Sequence, residues 1–295
     1  MERVRQITRV NEAHKLGYIG NNVTVAVMDT GIGTHIDFGQ RIRGFRDYVG
    51  DKKILYDDNG HGTHVSGIIA GSGFASHGRY RGMAPGAAIY AIKVLDRMGK
   101  GNTRLVVSAL KWLISNYEKM NIRILNISVG MLASARREEQ EELLAAIEAV
   151  WDAGIVVVAA AGNNGPKDKS ITIPGLCRKI ITVGSSDDEE GEVKNLGLMR
   201  GYSGRGPTEA CIMKPEVVAP GTAIVSCKRM GNGYEMKSGT SMATPVVAGA
   251  VAVLLSRYSN LKPAEVKLRL YETSVDTGKS KHAQGWGLSL IHISE

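Results

Sequence analysis

The sequence is short of cysteine and lacks any apolar run long enough to cross a bilayer. Its 295 residues hold three cysteines, Cys177, Cys211 and Cys227. An odd number without metal-like spacing argues against a disulfide framework or a zinc site, and it predicts a reducing compartment. The longest apolar stretch, Val246 to Leu255, is interrupted by Gly249 and is about half the length of a spanning helix. It predicts a buried core helix instead. Met1 to Asn22 carries Arg3, Arg5 and Arg9 with no apolar run behind them, so it does not read as a secretory signal peptide. The expectation is a cytoplasmic protein with no membrane partner. Internal repeats and low-complexity tracts are also lacking, and the length suits one α/β domain.

Charge is plentiful but not patterned. Lys and Arg outnumber Asp and Glu by 37 to 29, a formal net charge of +8. Such a balance would suit an acidic partner. The basic residues are scattered, however, and no nucleic-acid-binding signature accompanies them. A solvated surface is expected, with no nucleic-acid partner.

Val23 to Met28 is a continuous apolar and β-branched run closed by Asp29 and Gly31. That is the pattern of a buried parallel strand ending in a functional loop. Similar runs recur at Ala88 to Leu95, Ile122 to Ile127, Ile155 to Ala161 and Ile180 to Gly184. Helical spacing fills His64 to Ala70, Thr103 to Tyr117 and Glu138 to Trp151. Strands alternating with helices predict an α/β fold, a mostly parallel central sheet with helices on both faces. Ligands of such sheets bind beyond the carboxyl ends of the strands, where Asp29, Ser128 and Asn163 leave the sheet.

Three glycine-bearing motifs carry the chemistry: Asp29-Thr30-Gly31, His61-Gly62-Thr63-His64 and Gly239-Thr240-Ser241-Met242-Ala243. A serine hydroxyl is a poor nucleophile at neutral pH. It needs an imidazole to take its proton and a carboxylate to hold that imidazole in one tautomer. Singly, each residue has an ordinary explanation: an N-cap serine, a turn aspartate, a structural histidine. In the order Asp, His, Ser they supply an acid, a base and a nucleophile. Ser241 opens the apolar run through Leu255, so the unpaired N–H groups of that helix start favour developing negative charge. Pro245 is expected to fall in its first turn, where no hydrogen bond is lost.

This order and these motifs resemble the subtilisin-like serine proteases, over nearly the whole chain from Val23 to Trp286. Within that family the Tyr56-Asp57-Asp58-Asn59-Gly60 lead-in and the Ser76 to Arg81 insertion look most like the bacterial intracellular branch. The resemblance implies a three-layer subtilisin-like fold over residues 23–287. It also implies a serine endopeptidase of broad specificity, with Asp29, His61 and Ser241 as triad. Asn163, locally an Asn-Asn-Gly turn, matches the oxyanion-hole segment. Extended polypeptide substrates would lie between Gly99-Lys100-Gly101 and Ser128-Val129-Gly130. Ala161 and Gly162 would line the pocket for the residue before the cleaved bond, with Asn164 near its rim. A catalytically silent binding module of the same fold is the alternative.

No cofactor is required for this chemistry. Structural calcium stays unassigned: the family's Asp matches Asp37, but the loop Gly71 to Tyr80 differs in length and lacks the family's Asn. Residues 1–22 form a candidate regulatory extension with an inhibitory role. Leu288 to Glu295, including His292, reads unlike the family and is expected to be a non-native tail. The sequence assigns neither an oligomeric state nor a preferred side chain before the cleaved bond.

Overall fold

The computed structural model describes residues 1–130, 136–189 and 200–290. The helices are α1 (Glu2–Ile7), α2 (Val10–Lys15), α3 (His61–Ala70), α4 (Thr103–Asn116), α5 (Arg137–Asp152), α6 (Thr240–Arg257), α7 (Pro263–Thr273) and α8 (Lys281–Gln284). The strands are β1 (Thr24–Asp29), β2 (Ile42–Asp47), β3 (Ala88–Lys93), β4 (Ile122–Ile127), β5 (Val156–Ala160), β6 (Ile181–Ser185), β7 (Val217–Ala219), β8 (Ile224–Cys227) and β9 (Tyr234–Lys237).

The first seven strands form one sheet in the order β2-β3-β1-β4-β5-β6-β7, and every neighbouring pair is parallel. All residues of β1, β5 and β6 are buried, which is why these strands read as unbroken apolar runs rather than alternating ones. Helices α3 and α6 pack together against the sheet, and α4 packs on α5. In α4 the buried Val106, Ala109, Leu110 and Leu113 make one helical stripe, and the Asn102 side chain caps its N-terminus. Strands β8 and β9 form a separate antiparallel ribbon.

Chain order reverses between β1 and β4, which places a crevice at their carboxyl ends. Asp29 ends β1, and Ser128 follows β4.

Helix α6 is buried from Met242 to Leu255. By length and composition it could cross a membrane, but 83% of it is buried inside the protein, as a core helix. One expectation fails here. Pro245 is the sixth residue of α6, beyond the first turn, because the helix begins at Thr240. Its missing N–H leaves the Ser241 carbonyl without its usual helical partner. Burial of the whole helix offsets a proline cost of about 3 kcal/mol.

The tail takes part in the fold. Leu288 exchanges backbone hydrogen bonds with Val275, and Ser289 donates to Val218 of β7. Leu290 is buried. Because β7 lies at the sheet edge, its free backbone groups accept an extended apolar segment whatever that segment's origin. His292 lies outside the described residues.

The N-terminal segment docks through Met1, Val4, Val10 and Ala13, all buried. Its polar contacts run to residues 78–86, to the far end of α6 and, through Arg3, to the Asp187 carboxylate and the Thr222 carbonyl. His14 Nε2 bonds the Met83 carbonyl at 2.8 Å, and Gly86 donates to Ile19. Gly20 donates to Ser256, which lies about 22 Å along α6 from Ser241 at about 1.5 Å per residue.

Arginines hold the loop where the resemblance implies calcium. Arg5 donates to the Arg81 and Gly78 carbonyls, at 2.5 and 3.3 Å. Arg41 donates to the carbonyls of Ala70, Ala87 and Asp37. The buried Asp37 carboxylate accepts from the Gly73 and Ala75 N–H groups and from the Tyr234 hydroxyl. Guanidinium groups thus sit at both ends of the loop, and the Asp37 carboxylate is already taken by N–H and O–H donors, so these residues do not fit a calcium there.

A neighbouring buried cluster, His35, Asp37 and Cys227, brings potential ligand atoms within 4.8 Å of one another. Its lone pairs are engaged, however. His35 Nδ1 accepts from the Asp37 N–H while Nε2 bonds the Gly233 carbonyl. Burial, then Asp37, pushes the Cys227 thiol well above its ordinary range, so it stays protonated.

Arg5→Met should leave the Arg81 carbonyl without its guanidinium partner and the Gly78 carbonyl with the Arg81 N–H alone, and lower stability by about 1–3 kcal/mol. Urea unfolding measures this; an unchanged midpoint would show that α1 does not clamp the loop.

Candidate active site

Asp29 has no solvent exposure, so its charge must be met inside the protein. Its Oδ1 and Oδ2 lie 2.8 and 2.9 Å from His61 Nδ1, and Oδ1 also accepts the Thr30 N–H at 2.7 Å. With Nδ1 held by the carboxylate, the imidazole's other nitrogen, Nε2, is the free base. Burial disfavours the His61 imidazolium, but the Asp29 charge and hydrogen bond outweigh that, and the pKa is raised above 6.5. Lys237 opposes the rise and Asp57 adds to it.

The approach of α3 to β1 depends on glycine. A Cβ on Gly62 would stand 2.2 Å from the Gly31 carbonyl oxygen and 3.2 Å from Asp29 Cβ. Any side chain there would separate Asp29 from His61.

Asp57 was legible only as part of a lead-in, yet it organises this corner. Its Oδ1 accepts from Thr30 Oγ1, Asn59 N and Gly60 N, and its Oδ2 accepts from Thr63 N and Oγ1. Burial alone would raise its pKa, but these bonds hold the carboxyl below its usual value. Thr30 Oγ1 in turn accepts the Gly62 N–H, and Thr63 Oγ1 accepts that of Gly33. The signal was present: an acid shortly before a helix start, able to take the N–H of the third helical residue.

The second histidine of the motif does different work. His64 Nε2 sits 3.1 Å from the carbonyls of Ile224 and Glu235, tying α3 to the β8–β9 ribbon. Burial, followed by Lys237 and His61, drives its pKa down to about 3. It stays neutral while His61 titrates.

Ser241 is the second residue of α6, so its own N–H has no partner within the helix. Gly239 before it has φ of 142°, a conformation that favours glycine, and lets the chain turn into the helix beside Asn163. Asn163 Oδ1 accepts from the Thr240 N–H and hydroxyl at 2.9 and 3.0 Å. That network assigns the oxygen and leaves the Asn163 amide NH2 as a donor beside Ser241.

A cavity of about 550 Å³ joins Gly130, Gly162, Asn163, Asn164 and Ser241, with Thr172 and Ile173 among its walls. Ala161 does not line it. It is fully buried, donates its N–H to Val183 and accepts from Thr172, so it supports the wall from behind. Ser128 is likewise buried, its hydroxyl bonded to Asn126, while Val129 is half-buried. Gly99, Lys100 and Gly101 are exposed in a hairpin closed by a Leu95–Gly101 bridge, and Asn59 ties it to the His61 turn through the Arg97 carbonyl.

The sequence profile of the subtilase family matches residues 20–287. Serine protease AprX of Bacillus subtilis is 40% identical over 92% of this chain and 65% of its own length. Subtilisin DY of Bacillus licheniformis is 33% identical, covering 97% of this chain and 95% of the relative. The chain thus spans somewhat under two thirds of AprX but nearly all of the shorter subtilisin. Among solved structures, sphericase superposes with a TM-score of 0.78 at 28% identity, covering 92% of each chain. A cold-adapted subtilisin-like serine proteinase gives 0.73 at 30% identity, over 92% of this chain and 88% of that one. The chain therefore belongs to the subtilase family of serine proteases.

Proposed function

We propose that this chain is an endopeptidase of broad specificity that cleaves extended polypeptides through an acyl-enzyme on Ser241. The observation that carries this reading is the fully buried Asp29 bonded to His61 Nδ1 at 2.8 Å, in a chain whose Ser241 and Asn163 line one cavity.

In the first half-reaction Ser241 Oγ attacks the peptide carbonyl carbon while its proton passes to His61 Nε2. Asp29 stabilises the imidazolium without becoming protonated. The carbonyl oxygen becomes an oxyanion held by the Ser241 N–H and the Asn163 amide. His61 then protonates the leaving amine nitrogen, and the C–N bond breaks. In the second half-reaction water attacks the ester, its proton passes to His61, and Ser241 leaves with that proton restored. Every proton is accounted for by residues of the chain itself.

Substrate would pair by strand addition, a backbone-directed mode that tolerates varied side chains. Gly99-Lys100-Gly101 on one side and Ser128-Val129-Gly130 on the other would supply the edges. Gly162 and Asn164 would shape the pocket for the residue before the cleaved bond. Three free thiols, Cys177 and Cys227 buried and Cys211 exposed, support a reducing, cytoplasmic setting. The docking of residues 1–22 against residues 78–86, Ser256, Asp187 and Thr222 favours a bracing role for that segment over the expected inhibitory one.

A serine-directed phosphonate should label Ser241. Ser241→Ala should lower kcat by about 10⁶-fold and Asn163→Leu by about 10²–10³-fold, ranges known from a subtilisin and carried over to this chain. An unlabelled, folded sample with full binding to peptides would favour the silent binding module.

His61 must be neutral to accept the proton, so kcat/KM should fall as pH drops through its pKa. Because that pKa is raised, the midpoint should lie above 6.5. Asp29→Asn removes the main raising influence, so it should move the midpoint down while lowering kcat by about 10⁴-fold. A wild-type profile flat to about pH 4 would exclude His61 as the base.

A further inference from the structure

Lys93 is the last residue of β3, and its side chain has no solvent exposure. A buried ammonium is costly unless each of its donors is taken. Three acceptors, each at 2.7 Å, take them: the Thr30 carbonyl, the Leu95 carbonyl and the Asp58 carboxylate. The Tyr56 ring lies over the same ammonium at 5.0 Å.

The acceptors belong to different working segments. Thr30 follows the acid. Asp58 sits in the turn that enters α3 at His61. Leu95 forms the bridge to Gly101 that closes the proposed substrate hairpin. The segment grips the acid from a second side as well, since Val94 and Leu95 both donate to the Asp29 carbonyl, at 3.0 and 3.2 Å.

We infer that Lys93 is a positioning residue whose ammonium sets the acid, the base and the substrate hairpin relative to one another. This rests on the triad reading above. A neutral side chain could not replace it, because three separate acceptors need three donors from one point. Asp58 is 41% exposed, so without the ammonium its carboxylate would turn to water. The turn it leaves is the one that aims His61: the adjacent Asn59 side chain accepts the His61 N–H and donates to Arg97. A misplacement of about 1 Å at reacting atoms costs on the order of 100-fold in rate.

The test uses the full chain, with active sites counted by a serine-directed phosphonate so that kcat is expressed per competent site. Asp58→Asn weakens only the bond on the base's side. It should lower kcat about tenfold while leaving KM for a short chromogenic peptide, and Tm, near wild type. Lys93→Met releases all three segments. It should lower kcat about 100-fold and raise KM together. A residue that merely stabilised the fold would lower Tm and the titratable fraction without changing kcat per site. That result in both variants overturns the inference, and Asp58→Asn alone decides it if Lys93→Met does not fold. If wild type is not titrated and Ser241→Ala retains full activity, the triad reading fails instead.

Discussion

A carboxylate with no access to water, at the carboxyl end of a central strand, is the constraint around which this molecule is arranged. Burying the Asp29 charge would be prohibitive without partners, and its partners fix the site. The imidazole of His61 takes both oxygens, and the Thr30 N–H takes one of them again. To deliver that imidazole, α3 must start within contact distance of β1, which only a glycine at position 62 permits. To hold the helix start there, a half-buried acid, Asp57, gathers N–H groups that the helix itself cannot satisfy. Each requirement generates the next, from strand to loop to helix.

Much of this was legible in the residues. The buried strands announced themselves because a parallel sheet covered on both faces favours apolar side chains at successive positions, as in Val25–Met28 of β1 and throughout β5. The short β7 and the ribbon strands β8 and β9 gave no such signal. β9 is only partly buried, and β7 spans Val217–Ala219 alone. The Asp, His and Ser motifs stood out by their glycines. What sequence order could not convey was which polar side chains support them. Asp57, Thr30, Thr63 and Lys93 act through bonds between segments distant in the chain, and nothing local to a threonine or a lysine shows such a partner.

One departure and one unassigned contact share a physical origin. Pro245 is expected where it would cost nothing, and no pairing is expected for Leu288 to Leu290, which join Val275 and β7. In both cases tertiary context decides. A helix buried over its length absorbs a lost hydrogen bond, and an open sheet edge binds an adjacent extended segment. Local rules fail where burial or unpaired backbone supplies a larger free energy than the local preference.

Helix α6 places Ser241, the proposed nucleophile, at the tip of an element buried from Met242 to Leu255. Local opening of a segment costs least where few apolar contacts hold it. From Met242 to Leu255 this segment offers no such weakness. Disarming the serine by melting its surroundings would therefore cost nearly as much as unfolding the whole domain. Restraint by another molecule is left with one economical route, occupation of the cleft that Ser241 lines.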